Sequence, residues 1–141
     1  MFNPSRDDAR RFFIEAWRKH RTRALVSPLE DAAARIVAQH PEYHALLEDA
    51  EAALARDWTP ESGEANPFLH LSLHLAVEEQ LSIDQPPGLR AAFEALCLRR
   101  GERHTALHDA LECLGETLWR AQKSQSPPDG EAYVDCLKRK G

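Results

Sequence analysis

The sequence predicts an all-α fold, a single domain over residues 1–141 built as a bundle of about six or seven helices. Three observations predict it. Apolar residues recur every three or four positions, and no alternating apolar run reads as a strand. Helix-start signals precede those periodic stretches. Two proline-rich turns, Asp84-Gln-Pro-Pro-Gly and Ser126-Pro-Pro-Asp-Gly, interrupt them. A chain of 141 residues can bury a core without metal or disulfide staples, so a metal here would serve function rather than folding.

The first helix is expected from about Arg6 to His20, with Ser5 and Asp8 as a capping box and Phe2 as a staple. Phe12, Phe13, Ala16 and Trp17 form its apolar side, and Arg10, Arg11, Arg18, Lys19, Arg21 and Arg23 its basic one. Ser27, Pro28 and Glu30 spell cap, first-position proline and capping-box acid, which starts a second helix from about Pro28 to Gln39 with Ala32, Ile36 and Val37 inward. His40-Pro41 breaks it. A third helix is expected from Pro41 to about Asp57, then a loop from Trp58 to Asn66. Asn66 and Pro67 start a fourth, to about Ser82, whose apolar residues fall all around it. A fifth, about Gly88 to Arg100, ends at Gly101. The sixth, about Glu102 to Lys123, carries Leu107, Leu111, Leu114 and Leu118 in a stripe, and Gly115 inside it predicts a close packing contact. A short helix from about Glu131 closes the chain.

Three polar residues are set into the apolar fourth helix: His70, His74 and Glu78, each four positions from the next and so on one face. The same His-x3-His-x3-Glu spelling returns at His104, His108 and Glu112, an offset of 34 positions. A third copy, His40, His44 and Glu48, is weakened by Pro41, which makes His40 read as a helix cap. Composition alone would produce the spelling roughly 0.03 times. Six of the seven histidines fall in these triplets.

Buried polar groups must find partners, since an unpaired one costs on the order of 1–3 kcal/mol. If the helices of 66–82, 88–100 and 102–123 run up, down and up, the two clean triplets lie level and face each other. His70, His74, Glu78, His104, His108 and Glu112 then form a candidate metal site, with His44 able to join. Histidines at i and i+4 suit one ion; His70 and Glu78 lie about 12 Å apart along the axis, so one ion does not hold both. The expected cofactor is one or two divalent ions of iron, manganese or zinc, in a protein that could be a hydrolytic or oxygen-dependent metalloenzyme of unknown small-molecule substrate. The competing explanation is structural: hydrogen-bonded core histidines, or buried pairs of His74 with Glu112 and His108 with Glu78 that fix helix register. The alternative function is a non-enzymatic module docking a protein or RNA through the basic first helix.

Net charge is −5, which gives no general reason to expect nucleic acid or a membrane. Residues 1–23 nevertheless carry seven Lys/Arg against three acids, +4, leaving −9 for the remainder. A basic face of this kind reads first as a solvated helix surface and second as a docking site for an acidic protein partner or RNA. Cys97, Cys113 and Cys136 are odd in number, form no Cys-x-x-Cys pair and read as reduced thiols of a cytoplasmic protein. No apolar run approaches a membrane span, and no signal-peptide core follows Met1.

The run Asn-Pro-Phe-Leu-His-Leu-Ser-Leu-His-Leu with Glu-Gln-Leu-Ser-Ile-Asp-Gln-Pro-Pro-Gly resembles a family of short bacterial proteins catalogued as a domain of unknown function. The resemblance extends along nearly the whole chain, including Met-Phe-Asn-Pro-Ser-Arg and His-Pro-Glu-Tyr-His. It implies a cytosolic, single-domain bacterial protein, and it brings no activity or site residue with it.

Overall fold

A computed structural model describes residues 4–58 and 66–140. Among them are eight α-helices and one 3-10 turn, with no strand, so the chain is all-α as expected. They group into two compact units, one ending at Leu75 and the other beginning at Ala76. Phe2 lies outside the described residues, as do the side chain of Ser5 and most of the predicted loop after Trp58.

The first unit holds α1 (Pro4–Thr22), α2 (Pro28–Ala38), the 3-10 turn Pro41–Tyr43, α3 (His44–Leu47), α4 (Ala50–Ala55) and the first half of α5 (Pro67–Ile83). Ser27 caps α2 with the full reciprocal box: Glu30 N–H donates to Ser27 Oγ at 3.1 Å and Ser27 N–H to Glu30 Oε1 at 2.9 Å. Such a cap contributes about 1 kcal/mol. The core gathers Phe13, Ala16 and Trp17 from α1, Ala33, Ile36 and Val37 from α2, Leu47, Ala53, and Phe68 and Leu71 from α5. The helix expected over 41–57 is instead three pieces. Asp49 Oδ1 accepts from Ala52 N–H at 3.2 Å and so caps a new helix where the old one would have continued.

Arg10 leaves the basic face to which its periodicity assigned it. It is 3 % exposed, and its Nη1 donates to the carbonyls of Ala53 at 2.9 Å and Arg56 at 2.8 Å, satisfying acceptors at the end of α4. Its guanidinium also lies 5.1 Å from the Trp58 ring and 5.2 Å from that of Phe68. Of the other cations on that face, Arg18 is bound to Glu15 and Lys19 to Glu30.

The second unit holds the rest of α5, then α6 (Leu89–Arg100), α7 (Arg103–Ser124) and α8 (Gly130–Arg139), with the last three packed on one another. Leu89, Phe93 and Leu96, Leu107, Leu111 and Leu114, and Tyr133, Val134 and Leu137 are among its buried side chains. Gly101 ends α6 in the left-handed conformation, φ 77°, with its N–H on Cys97 O. Three sequence expectations are corrected here. Cys113 and Cys136 are not reduced thiols but a disulfide, because the turn at 125–129 folds α8 back along α7 until their Cα atoms are 5.8 Å apart; Cys97 remains a free thiol. Leu118 is 42 % exposed, its place in the buried stripe taken by Thr117. A Cβ added at Gly115 meets nothing within 4 Å, so that glycine marks no close contact.

Candidate metal centre

The centre begins at the C-terminal end of α2. Its last carbonyls accept tight backbone bonds, Gln39 N–H to Ile36 O at 3.1 Å and His40 N–H to Val37 O at 2.9 Å, and each takes a second bond from an imidazole. His40 Nδ1 lies 2.7 Å from Ile36 O, and His44 Nε2 lies 2.8 Å from Val37 O. A carbonyl only accepts, so each of those nitrogens carries the proton. For a neutral His40 this fixes the tautomer: Nδ1 is protonated and the lone pair is on Nε2. The arrangement is the one by which an outer hydrogen bond orients a metal-binding imidazole.

His40 Nε2 points at the face of α5 that carries His70 and His74. Asn66 starts that helix as its sequence predicts, its Oδ1 accepting from Phe68 N–H at 2.9 Å and Leu69 N–H at 3.3 Å. The helix is less enclosed than its composition suggests, since Leu69 is 58 % exposed, but Phe68, Leu71, His74 and Val77 are buried. His40 Nε2 and His70 Nε2 are 3.2 Å apart. The three rings stand edge to face, with centroids 4.7 Å apart for His70 and His74, 4.8 Å for His40 and His74, and 5.0 Å for His40 and His70. One nitrogen from each lies within 4.8 Å of those of the others. His40 and His74 are 4 % and 1 % exposed. Tyr43 covers the outer side of the group, stacked on the His40 ring at 5.5 Å with the planes 4° apart, and burial pushes its phenol pKa up.

The separation has chemical meaning. Two nitrogens bonded to one ion at 2.0–2.1 Å in a tetrahedral shell are about 3.3 Å apart, close to the spacing already present between His40 and His70. His40 and His70 already stand at that spacing, and the His74 nitrogen lies within 4.8 Å of both.

The remaining members of the predicted set lie elsewhere. His44, with Nε2 on Val37 O, stacks at 4.4 Å on Trp17, whose Nε1–H donates to Glu48 at 3.1 Å. Glu78 accepts from Arg103 at 3.1 Å and 3.3 Å. Glu112 is at the surface, bound to Lys140 at 2.6 Å, and His104 is exposed with its ring 4.4 Å from the half-buried His108. His40, which the sequence argument set aside as a cap, does occupy the N-cap position of the 3-10 turn, but its side chain makes no capping bond there and joins the histidine group instead. The signal that could have found it was its place in the third triplet.

Among the described residues no helix is long and apolar enough to cross a membrane. A search of curated proteins found no match, and neither did a search of solved structures. The family described as Domain of unknown function (DUF1841) matches residues 5–139, and the chain belongs to that family.

Proposed function

We propose that the protein binds a divalent metal ion, with His40, His70 and His74 as ligands. The observation that carries the reading is the convergence of three imidazole nitrogens on one point, two of them 3.2 Å apart, in a buried setting. A structural hydrogen bond needs one imidazole pair; a third ring brought to the same point supplies a further basic nitrogen, which suits an ion better than it suits a core. The set His70, His74, His104, His108 with Glu78, Glu112 and His44 is thereby narrowed. A single ion is favoured over two, because the carboxylates that would bridge a pair are held by Arg103 and Lys140. Neutral nitrogen donors suit zinc or ferrous iron better than manganese, and they leave the ion its full charge as a Lewis acid. Hydrolytic or oxygen-dependent chemistry is compatible with that ion.

The test is metal content of untagged protein reconstituted with zinc and separately with ferrous iron. We expect about one ion per chain, and a loss of affinity of 100-fold or more in His74→Ala and in His40→Ala. Stoichiometry near zero with both metals, or ligand variants that bind as the parent does, would contradict the reading.

A further inference from the structure

We propose that the turn joining α1 to α2 docks on an anionic phospholipid surface, independently of the metal centre. Between Arg18 and Leu29 the chain carries four Arg/Lys and no acid. Leu25 is 97 % exposed, Leu29 49 % and Val26 36 %, so three aliphatic side chains stand in water within five residues. Arg21 and Arg23 precede them, both exposed and with side chains in no hydrogen bond or ion pair among the described residues. Arg23 also holds a left-handed backbone, φ 57°, where glycine or asparagine would be easier, so the sequence keeps a cation there against the local conformational preference. Beside the turn is a cleft of about 360 Å³ lined by Lys19, His20 and Arg23, with Asp31 at its edge and tied to Arg35 at 3.0 Å.

These features select among partners. Unpaired bases are held by stacking on exposed aromatic rings, and of the two rings at this end of α1, Trp17 is buried and His20 is stacked on it at 5.2 Å. A folded protein needs a surface of matching shape, whereas a leucine with nearly all its area open has no neighbours to form one. A fluid bilayer supplies its own shape: aliphatic side chains enter below the headgroups while arginines meet the phosphates. The net charge of −5 does not prevent this, since attraction is set within a Debye length of about 10 Å. There Arg18 and Lys19 are matched by Glu15 and Glu30, but the side chains of Arg21 and Arg23 are paired with no acid among the described residues. The cleft has the size and donors to take one headgroup phosphate.

The test is co-sedimentation of the full chain with vesicles of pure phosphatidylcholine and with vesicles containing roughly one third phosphatidylglycerol, at low and high salt. We expect binding to the anionic vesicles to be about tenfold tighter or more, and to fall with salt. Leu25→Ser, and separately Arg21→Glu with Arg23→Glu, each weaken it about tenfold while thermal melting stays unchanged, because all three side chains are exposed. Equal binding to both vesicles, or variants that bind as the parent does, would overturn the proposal. So would binding to a single-stranded oligonucleotide or to polyglutamate that depends on the same residues while vesicles stay unbound.

Discussion

Histidines spelled alike end differently in the two units. In the first, His40 and the pair His70 and His74 turn their nitrogens toward one point, and two of the three rings are almost wholly buried. In the second, His104 stands in solvent and Glu112 reaches out to Lys140. The i,i+4 spacing guarantees only that two side chains share a helix face. What makes a centre is a second element that crosses that face with a nitrogen already aimed, and the end of α2 provides it by tying His40 Nδ1 to Ile36 O. The units also differ in what holds them. The first uses a buried guanidinium beneath α4, and the second a disulfide between α7 and α8.

Substitutions can break this contrast. The largest expected effect is on metal binding: His40→Ala loses 100-fold or more in zinc affinity, whereas Glu112→Ala, at the same helical spacing but bound to Lys140, stays within a factor of two or three of the parent. Competition against a chromogenic chelator measures both. If the two substitutions weakened binding alike, the distinction between the triplets would fail.

Stability sharpens the comparison next. Arg10→Met leaves the Ala53 and Arg56 carbonyls without their donor and removes two ring contacts, for a cost of about 3 kcal/mol in urea denaturation. Reducing Cys113–Cys136, or replacing both by alanine, releases a loop of 23 residues and costs roughly 3 kcal/mol. Hydrogen exchange separates the two: the first change lowers protection in α1 and α4, the second in α7 and α8.

The smaller effects lie at helix ends and interiors. Lys19 and the Ser27 N–H hold the Glu30 carboxyl below its usual range, so its contribution is present at neutral pH and lost as the pH falls through that lowered value. The melting temperatures of the parent and Glu30→Gln should therefore differ at pH 7 and converge in acid below that lowered value. Gly115→Ala should stabilise α7 by up to about 1 kcal/mol, since a Cβ there meets nothing and the helix gains propensity.

How much of this was legible in the sequence depended on how local the signal was. The caps at Ser27 and Asn66 were readable because donor and acceptor lie within three residues, and their hydrogen bonds are where the spelling put them. Arg10 was not, because the carbonyls that draw it inward belong to a helix more than forty positions away. Cys113 and Cys136 gave no pairing signal because their contact comes from the packing of α8 on α7. His40 was misjudged for a more instructive reason. Pro41 does set the backbone as a helix start, but a backbone role leaves the side chain free, and that side chain is the one aimed at α5.

The most direct measurement of the metal centre is X-ray absorption at the zinc edge of the reconstituted, untagged chain. The account predicts a first shell of nitrogen scatterers near 2.0 Å with the outer-shell pattern of at least three imidazoles, reduced by one in His40→Ala. A shell of oxygen or sulfur, a spectrum that His40→Ala leaves unchanged, or protein that takes up no zinc would contradict it.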